Sequence, residues 1–174
     1  MNVSDETIKA IKELNGEFFT MNRFWDATVG ILGVDFVCEQ ASRLMHEYVA
    51  HWYSSEADVL NERCLENFNI TPYYPATPAG DVEYKDLVDM MEQMLSRTID
   101  FQNKFMAVRK IADSNDDFLI VVELDSILRR LNEQVAQMIL IRDKAEQYGD
   151  DLKSFDYDFP SFFTITNKDS VRGV

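Results

Sequence analysis

Hydrophobic residues recur along most of this chain at intervals of three and four, the spacing that lays one apolar stripe along an α-helix. Ile11, Leu14, Phe18, Met21, Trp25 and Val29 form such a stripe from about Asp5 to Leu32, with Ser4 or Asp5 available as N-cap and Gly30 and Gly33 marking the end. A second stripe, Val37, Ala41, Leu44, Tyr48, Trp52 and Val59, runs from Asp35 to near Asn67. A third follows Gly80-Asp81 and carries Tyr84, Leu87, Met91, Met94, Leu95, Phe105 and Val108. The fourth opens at Ser114-Asn115-Asp116-Asp117, a capping-box pattern. It carries Val121, Leu124, Leu128, Leu131, Val135, Met138 and Ile141 and stops at Gly149. No segment sustains period-two alternation, so no sheet is expected. The pattern predicts an all-α bundle of four long helices.

The connections set the topology. The first and third joins are short, which makes their helices antiparallel neighbours. The middle segment, Phe68 to Gly80, holds three of the four prolines, which bar a helix and favour an extended path. Fully extended, that segment reaches roughly 43 Å, and a helix of about 28 residues is about 42 Å long. It can therefore run the length of the bundle and return the third helix parallel to the second, giving one long crossover between helices 2 and 3. Residues 1–149 read as the bundle and 150–174 as a C-terminal extension. In that extension Phe155, Tyr157, Phe159, Phe162 and Phe163 crowd around Pro160 with no helical period. Such a group of aromatics is not expected to stay in water. It either packs on the bundle or a symmetry-related subunit, or serves as a docking peptide for a protein partner or shell.

Composition narrows the classes. A chain of 174 residues, 46% hydrophobic and 12% aromatic, suits one globular domain with a single core. The net charge of −14, with no Lys/Arg cluster, argues against direct nucleic-acid binding. An acidic shell can attract cations, although a solvated, solubilising surface is the commoner explanation. Cys38 and Cys64 fall on one predicted helix, about 39 Å apart, and cannot pair within the chain. Reduced thiols, the absence of an apolar signal region, and the lack of any apolar run near about 18 residues make a cytoplasmic protein, with no membrane span, the expectation.

Candidate chemistry concentrates on the second helix. Glu47, His51, Asp58 and Glu62 are spaced 4, 7 and 4, so they project within roughly 60° of one another. Carboxylates with an imidazole suit iron, manganese or magnesium. The same edge also fits the solvated flank of an amphipathic helix. Glu17 lies between Leu14 and Met21 on the inner flank of the first helix, where an unpaired carboxylate is costly. It calls for a metal or an arginine such as Arg129 or Arg130. Gln134 faces inward as a core amide. His46 points away from His51, and the methionines read as packing. No phosphate loop, nucleophile elbow or dinucleotide fingerprint is present.

Several stretches resemble a known family. Ile111 to Asp117 (IADSNDD) followed by Leu128 to Val135 (LRRLNEQV) resembles the last two helices of ferritin chains. Ala57 to Arg63 (ADVLNER) looks like the Asp-x-x-x-Glu-Arg segment of the mini-ferritins, the DNA-protection proteins of starved cells. Met45 to Glu47 (MHE) resembles the Leu-His-Glu upstream of it, about three residues out of spacing. The resemblance covers about residues 10–148 and implies a ferritin-like bundle. It also implies iron as ligand, oxidation of Fe(II) in the manner of a ferroxidase, and a homo-oligomer, either a dimer or a closed cage. Asp58 and Glu62 match the mini-ferritin acidic pair, and Glu47 an upstream carboxylate. Glu17 matches the first-helix glutamate of ferritins, and Gln134 the fourth-helix glutamine. With His51, these carboxylates give the expected metal ligands: Glu17, Glu47, His51, Asp58 and Glu62. The chain departs from the family at several positions. The ferritin Glu-x-x-His is absent, Phe24-Trp25 replaces the mini-ferritin His-Trp, Thr98 or Asp100 stands where the third helix of a ferritin has glutamate, and the basic N-terminal arm is missing. The competing expectation is a metal-free bundle that binds a partner through its aromatic tail.

Overall fold

The computed structural model describes residues 2–165. Helix α1 spans Asp5–Val34, and the Ser4 side chain accepts from the Thr7 amide at 3.2 Å. Every residue of its expected stripe is buried. Three pieces form the second rod: α2 (Glu39–Met45), a π-helical turn (His46–Ala50) and α3 (His51–Cys64). Helix α4 spans Leu87–Ser114, α5 Phe118–Tyr148 and α6 Leu152–Phe162. Among the described residues, no helix is long and apolar enough to cross a membrane.

Side-chain pairs fix the directions. Asn22 donates to the Ala50 carbonyl at 3.0 Å and Asn61 to Asn15 at 3.0 Å, so α1 and the second rod are antiparallel. Lys104 meets Glu17, and Arg97 lies over the Phe24 ring, so α4 is antiparallel to α1. Arg130 meets Glu56, and Arg63 meets Glu123, so α5 is antiparallel to α3. Helix α4 is therefore parallel to the second rod, as the crossover length allowed. The crossover runs along α1. Asn15 donates to the Tyr73 carbonyl at 2.8 Å, Phe19 meets the Tyr74 ring, and Tyr84 reaches the Thr28 hydroxyl. Gly16 makes the contact possible, because a Cβ there would sit 2.4 Å from Pro75 Cγ.

Three sequence expectations need correcting. Helix α4 starts at Leu87, not just after Gly80-Asp81, because Asp86 accepts from the Asp89 amide at 2.8 Å while Asp89 accepts from the Lys85 amide at 2.9 Å. This reciprocal cap sets the start, and Tyr84 belongs to the crossover. Ser114 ends α4 and does not cap α5. The Asp117 carboxylate instead accepts from the Ser4 amide at 3.3 Å, tying the start of α1 to the start of α5. Finally, the aromatic extension is helical after all. Phe155, Phe159 and Phe162 fall on one face of α6, which packs on α2 and α5, and they are buried, as is Phe163 just past its end, while Tyr157 stays exposed. Pro160 has no N–H for the Asp156 carbonyl, and the Gln40 side chain donates to that oxygen instead, at 3.2 Å. The Asp156 carboxylate in turn accepts from the Ala41 amide at 2.8 Å at the start of α2. Residues 166–174 of the expected tail lie outside the described residues.

Candidate functional site

The π turn shifts the second rod by one residue, and this decides which side chains face inward. The buried line is Ala41, Met45, Val49, Trp52, Tyr53, Glu56, Ala57, Leu60 and Cys64. Leu44, Tyr48 and Val59 of the expected stripe are only half-buried, and Val37 is exposed with φ 56. Widening the turn frees backbone carbonyls, and both neighbouring helices supply donors. Asn22 on α1 takes the Ala50 oxygen at 3.0 Å, and Gln134 on α5 reaches the Tyr48 oxygen at 3.4 Å. Gln134 is buried as expected, and its own Oε1 has no hydrogen-bond partner among the described residues.

The expected ligands do not meet within one chain. Glu47, His51, Asp58 and Glu62 are all exposed. Glu17 turns the other way, toward α4, where its carboxylate lies 2.6 Å from Lys104 Nζ at 37% exposure. The side chain that answers Glu17 is thus Lys104, in place of the expected Arg129 or Arg130. Among the described residues, no group of three or more His, Cys, Asp and Glu side chains stands in position to hold a metal ion.

The carboxylate that does enter the bundle is Glu56, at 0% exposure. Arg130 engages both its oxygens, Nε at 2.7 Å and Nη2 at 2.6 Å, and also donates to Ser126 at 3.1 Å. Burial pushes the Glu56 carboxyl up, and the hydrogen bonds and charge of Arg130, with the charge of Arg63, pull it partly back. Glu56 was recoverable from sequence: it lies three residues after Tyr53 and four before Leu60, on the inner side. The stripe drawn through Tyr48 and Val59 passed it by.

Aromatic rings fill the space between α1, α3 and α4. The Phe18 ring centroid lies 4.8 Å from Phe101, 6.2 Å from Phe105, 6.2 Å from Trp52 and 6.4 Å from Tyr53. Trp25 stacks on Tyr53 at 6.3 Å. The Tyr53 hydroxyl sits near Thr98 and Trp25 but finds no well-aligned partner, and burial pushes its pKa far up. Both thiols are buried and held protonated: Cys38 is pushed up to about 11, by burial and then Asp156, and Cys64 to about 12, by burial and then Glu123. This interior is built for packing, with one neutralised ion pair at its edge.

No protein-family model matches the chain. No curated protein matches it in sequence. Solved structures do match in shape. A humanized archaeal ferritin aligns over 95% of this chain and 100% of its own, with a TM-score of 0.81 and 12% identity. An open pore ferritin from the hyperthermophilic archaeon Archaeoglobus fulgidus aligns over 93% and 98%, with a TM-score of 0.78 and 12% identity. An iron-soaked crystal of a PmFTN variant aligns over 88% and 98%, with a TM-score of 0.81 and 15% identity. With two antiparallel hairpins, one crossover along α1 and these neighbours, the chain has the ferritin-like fold, in a divergent sequence.

Proposed function

We propose that this chain is a ferritin-fold subunit that works through assembly with copies of itself, and that its bundle interior is not an iron centre. The fold implies iron, and iron oxidation needs carboxylate and imidazole donors with open positions. The interior side chains do not fit that need. Phe18, Trp25, Tyr53, Phe101 and Phe105 occupy the space between the helices, and the fully buried carboxylate of Glu56 spends both oxygens on Arg130. The bidentate Glu56–Arg130 pair is the observation that carries this reading: it answers a buried carboxylate with a guanidinium. Exposed Met106, Phe118, Leu119 and Val122 on α4 and α5 support self-association. The neighbours described as ferritins make a homo-oligomer the natural form, as a dimer or a closed cage.

One observation favours a second reading, in which Fe(II) is cargo held from outside. Glu47, His51, Asp58 and Glu62 are all exposed along the second rod, in a chain of net charge −14. Fe(II) oxidation in air, followed by absorbance, separates the two. Our reading expects the rate found in buffer alone. The second expects a faster, saturable rate that is lost in an Asp58→Asn/Glu62→Gln variant. Acceleration that survives that variant and disappears in Glu56→Gln would return the chemistry to the bundle interior.

A further inference from the structure

We propose that His46, His51 and Asp26 form a surface site for a borderline divalent cation, with Zn²⁺ as the ion that fits it best. The site is independent of the assembly reading, since it uses none of the interior groups. On a regular α-helix, side chains five residues apart point about 140° away from each other. The π turn changes this: its i→i+5 hydrogen bond, from the His51 amide to the His46 carbonyl, stacks residue 51 over residue 46. The two imidazole centroids lie 4.4 Å apart with their planes at 55°. The expectation that His46 points away from His51 is thereby corrected, and the turn itself is held by amide donors from α1 and α5.

Asp26 on α1 supplies the third donor. Its Oδ1 lies 3.5 Å from His46 Nε2, and both side chains are about half exposed, at 47% and 49%. That separation is long for a direct hydrogen bond. It matches the spacing of two ligand atoms on a tetrahedral ion: bonds of about 2.0–2.2 Å place them about 3.3–3.6 Å apart. Two imidazoles and one carboxylate are a donor set for zinc, copper or nickel rather than magnesium or calcium. Three protein ligands also leave a fourth position for water. Among the described residues no three such side chains already stand in ligand positions, so closing the set takes a side-chain rotation. The exposed His51 ring is free to rotate toward an ion held by His46 and Asp26. Glu39 and Arg43 line the shallow groove beside His46, so their opposite charges offset each other there.

The test is calorimetric titration of the full chain, stripped by chelator, with Zn²⁺ alone. One site per chain is expected. His46→Ala and His51→Ala should each weaken it by about tenfold or more, with a smaller loss for Asp26→Asn. Asp58→Asn/Glu62→Gln should leave it unchanged. Because the substituted side chains are exposed, unchanged helical circular dichroism is expected and serves as the folding control. Absence of a saturable Zn²⁺ site overturns the proposal. So does a site that His46→Ala leaves intact, or one that is lost with Asp58 and Glu62. Fe(II) oxidation enters none of these outcomes, so the proposal stands or falls apart from the reading of the bundle interior.

Discussion

Arg130→Met should destabilise the protein by about 3 kcal/mol at neutral pH, the lower end of the range for breaking a buried pair. The lower end applies because water reaches Arg130, at 22% exposure, while Glu56 is fully buried. The variant leaves a carboxylate in the bundle whose two strongest hydrogen bonds are gone, so its folded pKa rises further above the ordinary 4.5. Below that value the carboxyl is protonated in both folded and unfolded chains, and the penalty vanishes. As the pH rises past it, the folded chain keeps the proton that the unfolded chain has lost, so stability falls. The wild type should show a weaker slope of the same sign, since burial already outweighs Arg130 at Glu56. Replacing both partners with apolar residues, in Glu56→Leu/Arg130→Met, should be neutral or should stabilise by up to about 4 kcal/mol. Urea unfolding of the three proteins across a pH series checks all of this. A single variant as stable as wild type at neutral pH would mean that the pair is not buried in solution.

Phe18→Ala should cost about 3–5 kcal/mol, because it removes the ring on which four others converge and leaves a cavity their edges cannot close. Against a typical total of about 5–15 kcal/mol, the loss is large enough to lower the melting temperature markedly. The expected signature is destabilisation alone. If the centre of the bundle is packing and nothing more, the variant that still folds should assemble like wild type. Thermal unfolding with light scattering reads both. A loss under about 1 kcal/mol would place Phe18 outside the tightly packed core.

Much of the fold was legible because it rests on spacing. The α1 stripe is buried in full, and the prolines of the crossover forced the long return that makes α4 parallel to the second rod. The site was less legible, for a reason that can be located. The π turn at His46–Ala50 inserts one residue into a helix that the sequence presents as regular. A fixed 100° step therefore drew the inner face through Leu44 and Tyr48, when it passes through Met45 and Val49. The same slip set His46 and His51 on opposite sides, whereas Glu56, four residues after Trp52, lay on the inner face by spacing alone. Nothing local announces such a turn, since its freed carbonyls are satisfied from other helices, by Asn22 and Gln134. Helix α6 was missed through Pro160, whose helix-breaking effect Gln40 offsets from a distance. In each case the deciding partner came from elsewhere in the chain.

On our proposal, rings and an ion pair, and not iron, occupy the interior between the four long rods. Anomalous scattering at the iron edge, from crystals soaked in Fe(II), tests it most directly. The predicted map has no peak among Phe18, Tyr53, Phe101 and Glu56; a peak within bonding distance of Glu56 or Tyr53 would contradict the account.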